Sequence, residues 1–265
     1  MRIIVAQASC LQTKARWKLA LQNLRNACAL KLFTAGARAK WMKVFRMKMS
    51  KVTIVIVWIA VVILVAVGVF VVVDRATALI LSARNAYVPP AGSFEAGFVA
   101  HPILTALHIV PGLVFMVLGP LQFVRGIRAR RLAMHRWSGR IFIISSFLVG
   151  LSALILAFDI GFGGPSEVSA TVTFSGILLF AIGKGFWHIR RREVTQHREW
   201  MIRAFAVGLA VSTIRPVVGF LLAISDYSFR EVLGSGFWIA FTLHLIAAEV
   251  WINRTRPRAR PNMPI

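Results

Sequence analysis

The sequence predicts an all-α membrane protein, a bundle of six transmembrane helices with the N-terminus and the C-terminus both cytoplasmic. Three observations predict it. Of 265 residues, 58% are hydrophobic and 15% charged, with a mean hydropathy of +0.72, whereas soluble domains average about half apolar and about a quarter charged. Uncharged runs of roughly 20 residues, the length that crosses a bilayer, recur along the chain. The net charge of +23 falls on alternate connections, as it does when basic loops are retained in the cytoplasm.

Residues 1–48 stand apart as a basic extension with eleven Lys or Arg and no acid. A transit peptide shares that character, although the usual serine enrichment is missing. A basic amphipathic segment lying on the membrane surface is a second reading. The third, favoured here, is that translation starts at Met49, giving MSKVTIVIVWIAVV, a short basic lead into an apolar helix. Without those eleven bases the net charge falls from +23 to +12, so the bias of the remaining loops persists. Cys10 and Cys28 both lie in the extension, and no disulfide framework is implied.

The membrane domain is expected over 49–253. Its helices fall at about 52–73, 102–123, 141–158, 168–187, 204–224 and 236–252, the fifth broken only by Arg215 and the sixth only by Glu249. Residues 254–265 form a basic tail. Between the second and third helices, Arg125 to Arg140 carries six Arg and no acid. Between the fourth and fifth, Lys184 to Arg203 carries six bases against Glu193 and Glu199. Those connections and the tail mark the cytoplasmic side. The opposite connections hold Asp74 and Glu95 against Arg75 and Arg84, then Asp159 and Glu167, then Asp226 and Glu231 against Arg230. The FGGPSE stretch, 162–167, is an external tight turn.

At 1.5 Å per residue, His108 lies roughly 9 Å below the outer edge, Arg215 roughly 10 Å and His244 roughly 12 Å, so three ionisable side chains share one layer. An arginine at such depth costs at least about 2.5 kcal/mol unless it faces a partner, a cavity or an anion. Arg215 is therefore expected to point inward, with Pro216 beside it favouring a bend. A polar cluster that only ties helices together is the plain alternative. Glu249 near the cytoplasmic edge suits a pairing with Arg140 or Arg203.

Two motifs share a pattern: MHRWSGR at 134–140 and QHREWMIR at 196–203. Each gives His-Arg, a tryptophan and a closing arginine as a polar connection turns into an apolar run. Helices two and three, and again four and five, then read as a repeated hairpin. Arg136, Trp137 and Arg140, with Arg198, Trp200 and Arg203, suit interfacial anchoring. His135 and His197 are unexplained by anchoring, since neutral imidazoles orient nothing.

With these motifs, HPILTALHIVPGLVFMVLGPLQF before them, TIRP after them and an Ala-Glu pair near the last helix end, the chain over about 98–252 resembles the bacterial membrane family catalogued as domain of unknown function 2306. The resemblance implies a polytopic location and supplies no reaction. His244 stands where it leads one to expect asparagine.

Three functions fit these residues. The first, placed slightly ahead, is a b-type haem or quinone-linked redox protein, with His108 and His244 as iron ligands beside Arg215 and with His135 and His197 as an inner pair. Against it, no helix carries two histidines a dozen residues apart. The second is a transporter or binder of a small anionic or lipidic molecule, using Arg215 as the anion contact and His108 as a proton-sensitive group. Six helices would then favour a homodimer. The third is a membrane scaffold. Motifs for phosphate-loop, metal-cluster or nucleophile-elbow chemistry are absent. Basic residues spread over membrane-flanking loops suit anionic lipid headgroups rather than nucleic acid. The expected location is the bacterial cytoplasmic (inner) membrane.

Overall fold

The computed structural model describes residues 50–256. The basic extension over 1–48, the start at Met49 and the tail beyond 256 lie outside the described residues. Eight helices and no strand are found among those described: α1 (Lys51–Ala83), α2 (Phe94–Ala100), α3 (Pro102–Phe123), α4 (Arg125–Arg130), α5 (Leu132–Asp159), α6 (Gly164–Arg190), α7 (Val194–Ile224) and α8 (Phe229–Thr255). The six long ones are each long and apolar enough to cross a membrane. This is the expected all-helical, multi-pass architecture.

The helix ends follow local chemistry. Ser50 caps α1 by accepting the Thr53 N–H at 3.0 Å, and Ser93 caps α2 by accepting the Ala96 N–H at 3.1 Å. Proline opens α3, where a missing N–H costs nothing. At α8, the Ser228 side chain and the Glu231 carboxylate close a reciprocal capping box. Gly161 and Gly164, at φ +42° and +71°, turn the chain between α5 and α6, as expected of the FGGPSE stretch.

The second helix matches its expected bounds, 102–123; the other five run longer. α1 continues to Ala83 rather than residue 73, and α5, α6, α7 and α8 all begin before their apolar runs. The reason is physical: hydropathy marks the lipid-facing part of a helix, while backbone hydrogen bonding carries the helix on into polar surroundings. DRATALILSA after Val73 contains no breaker, so α1 carries Asp74 and Arg75 as helical residues.

α7 is the hub. It packs against α6 and α8 on one side and against α1 and α3 on the other, while α3 pairs chiefly with α5. α1 packs on α2, α3 and α7, and leaves Val55, Ile59, Val62 and Phe70 exposed, as suits a lipid-facing helix. Stacked rings fill the centre: Phe115 on Phe142 at 4.7 Å and Phe174 on Phe241 at 4.6 Å. Phe115 lies against Gly208 of α7, where a Cβ would overlap its ring. Small residues at such crossings let helices approach closely in a bilayer.

Gly208→Ala should therefore destabilise by about 1–3 kcal/mol, the usual cost of overpacking. Gly183→Ala, with nothing within 4 Å of the added carbon, should be neutral or gain up to about 1 kcal/mol from helix propensity. Thermal unfolding in detergent compares the two, and equal effects would contradict the crossing described.

Candidate functional site

The half of the bundle away from the arginine-rich connections encloses a cavity of about 520 Å³, within the roughly 300–1,000 Å³ of small-molecule sites. All six long helices contribute to it. Rings and aliphatic chains such as Phe115, Met116, Phe174, Leu178, Phe237 and Phe241 supply most of the wall. The few polar groups on it include Arg75, His108, Glu167, Ser212 and Arg215.

Arg75 is buried on α1, ion-paired with Glu95 of α2. Its guanidinium also lies 4.2 Å from the Phe98 ring centre and 5.5 Å from that of Phe94, a cation–π setting. α2 is thereby fastened over one end of the cavity. Glu167 lies at the start of α6, where its carboxylate accepts the Gly163 N–H at 2.5 Å.

Arg215 differs from Arg75. It lines the same cavity and has Arg75, Asp74 and Glu95 as charged neighbours, yet forms no hydrogen bond or ion pair with any described residue. Arg215 is an exposed residue at the cavity wall, so its donors are open both to the cavity and to the surface. One turn below on α7, Ser212 is 1% exposed and its hydroxyl has no partner. A buried, unsatisfied hydroxyl costs about 1–3 kcal/mol. Gly68 of α1 lies directly over it, and a Cβ there would come within 2.8 Å of the Ser212 oxygen.

His108 reaches the cavity from α3, with Nδ1 3.0 Å from Ser152 Oγ of α5. Of the three residues expected to share one layer, His108 and Arg215 line the cavity. His244 bonds Thr213 Oγ1 through Nε2 at 2.7 Å, and neither residue lines the cavity. Val211, Ser212, Ile214 and Arg215 all do; at about 100° per residue their mean direction is opposite Thr213. His108 and His244 therefore face different surroundings, and the cavity presents one imidazole rather than a pair to any haem iron.

Glu249 takes Arg203 of the two partners considered, accepting from Nε at 2.5 Å and Nη2 at 3.0 Å. Arg140 instead lies over Trp137 at 5.0 Å. Arg203 also lies 4.7 Å from the Trp200 ring centre, so the closing arginine of the second motif ties α7 to α8. Trp137 and Arg136 of the first motif are exposed, as anchors would be. Arg198 donates through Nη2 to Thr255 Oγ1 at 2.7 Å. His197 Nδ1 lies 2.8 Å from the Gly185 carbonyl, and His197 is among the charged neighbours of His135. The two motif histidines thus lie at the same end of the bundle, near enough to sense each other's charge.

The residues missed from sequence are Arg75, Glu95, Ser212 and Ser152. Arg75 and Glu95 read as loop charges because the first helix was ended at residue 73; the unbroken helix-forming stretch after it was the available signal. Serines on apolar helices carry no comparable signal.

A family model described as predicted membrane protein (DUF2306) matches residues 105–252, more than half of the chain. Among curated proteins and among solved structures, nothing matches.

Glu95→Gln should cost about 3 kcal/mol, the lower end of the range for stranding a buried cation. Adding Arg75→Met should recover most of that loss. Unfolding midpoints of both variants in detergent check the coupling, and additive losses would show that the two residues act independently.

Proposed function

The chain belongs to the predicted membrane protein (DUF2306) family, and from that premise we propose that it binds a small anionic amphiphile within the membrane and passes it between compartments or partners. The observation that carries this reading is Arg215 on the wall of a largely apolar cavity with no acceptor among the described residues. An arginine in that position is stabilised by an anion. The apolar walls suit the hydrocarbon part of the same molecule, and the volume suits a single chain or a drug-sized body rather than a protein segment.

Each polar group has a role in this reading. Arg215 contacts the anionic head, with the unpartnered Ser212 hydroxyl one turn deeper. Arg75, already neutralised by Glu95, contributes field rather than a free donor. His108 supports a polar atom lower on the wall, its orientation fixed by Ser152. The loop-charge asymmetry supports a reading in which both termini lie in the cytoplasm and the cavity lies toward the far side of a bacterial inner membrane. A quinone-linked redox role would use the same cavity with His108 as hydrogen-bond partner, but it leaves Arg215 without work.

The test is binding of a fluorescent fatty-acid probe to the full-length protein in detergent. Arg215→Gln should weaken binding by about 30-fold, equivalent to about 2 kcal/mol for one lost charge-assisted contact. A neutral long-chain alcohol of matched length should bind weakly to both forms. Equal affinity of the acid for both proteins would end this reading.

A further inference from the structure

At the opposite end of the bundle the two His-Arg motifs meet, and something other than anchoring is built there. Three buried nitrogens lack any hydrogen-bond partner among the described residues: Arg128 Nε on α4, His135 Nδ1 on α5 and Arg198 Nη1 on α7. They belong to one cluster. Arg128, His197 and Arg136 are the charged neighbours of His135, and Arg128 and Glu199 are those of Arg198. Arg198 is held in place by its other nitrogen, which donates to Thr255 Oγ1 at 2.7 Å.

Among the described residues, the one carboxylate beside this cluster, Glu199, is already held by Arg256. Three acids lie at this end, and each already has a partner: Glu193 with His188 at 2.5 Å, Glu249 with Arg203 at 2.5 Å, and Glu199 with Arg256 through both oxygens at 2.7 and 2.8 Å. Two guanidinium groups and an imidazole, from three elements and with Arg128 as the neighbour of both others, therefore each keep a buried nitrogen that has no partner among the described residues. Their mutual repulsion and unmet donors are relieved together only by a group with several acceptor oxygens and a negative charge. A tetrahedral phosphate answers three donors arriving from three directions, and the forked guanidinium matches it. Basic pockets between helices at the cytoplasmic face are where lipid phosphates are held.

We propose that Arg128, His135 and Arg198 form one binding site for a phosphate group, carried by an anionic lipid headgroup or by free phosphate. The site is separate from the cavity around Arg215 and gives the histidine of the first motif a role that anchoring does not.

The experiment uses full-length protein in two arms. In detergent, thermal stability is followed against inorganic phosphate. In phosphatidylcholine nanodiscs, it is followed with and without phosphatidic acid. Stabilisation by phosphatidic acid alone identifies a headgroup site; stabilisation in both arms identifies a site for which phosphate itself suffices. In either case Arg128→Gln and His135→Asn should each raise the half-saturating concentration about tenfold or more. Arg125→Gln, exposed on the same short helix, should leave it unchanged. The proposal is overturned if neither probe stabilises the unmodified protein. It is equally overturned if Arg128→Gln and His135→Asn respond as the unmodified protein does, or if Arg125→Gln loses as much as Arg128→Gln.

Discussion

The whole arrangement depends on one constraint: a bilayer core offers no water, so polar groups within it must find partners inside the protein. The backbone meets this by helix formation. Side chains meet it pair by pair, with Arg75 on Glu95, Arg203 on Glu249, His244 on Thr213 and His108 on Ser152. All four pairs join different helices, so the chemistry that removes a solvation penalty also fixes which helices are neighbours. α7 contributes to two of the four, consistent with its central place in the packing.

Against that background, the unpaired groups carry information because they are few. Arg215 and Ser212 lie on the apolar cavity; Arg128, His135 and Arg198 lie at the other end. The first set is arranged around space and the second around charge. A chain with more than three times as many bases as acids, 32 against 9, cannot neutralise itself, and its acids are placed so that the remaining cations gather rather than scatter.

Much of this was legible from residues alone. Uncharged runs gave six spans, Arg215 stood out as a lone charge in one, and Glu249 had only Arg140 and Arg203 as plausible partners. Legibility failed where depth was used as a proxy for direction. His244 shares a level with His108 and Arg215, but rotation about the axis of α7 turns its partner Thr213 away from the cavity, and a short error in helical phase cannot be read from composition. It failed again at Arg75, because hydropathy falls where lipid ends while the helix continues. The nearness of His135 and His197, 62 residues apart, needed the packing of α5 against its neighbours before it could be seen.

α1 differs from the other long helices in how little holds it. Its packing is confined to α2, α3 and α7, its tight crossing rests on Gly68 against Ser212 and Met116, and its far end is latched by Arg75 to Glu95. At 33 residues and about 1.5 Å per residue it is near 50 Å long, well beyond the roughly 30 Å hydrocarbon layer, so most of its surface meets lipid or headgroups. The cavity's thinnest wall is therefore its lateral one. A solute dissolved in the bilayer faces a single loosely held helix, whereas one approaching from water must pass the α2 lid and its ion pair. Under the proposed function, exchange with the chamber would be governed by partition into the membrane, with solutes sorted by oil–water preference before any side chain touches them.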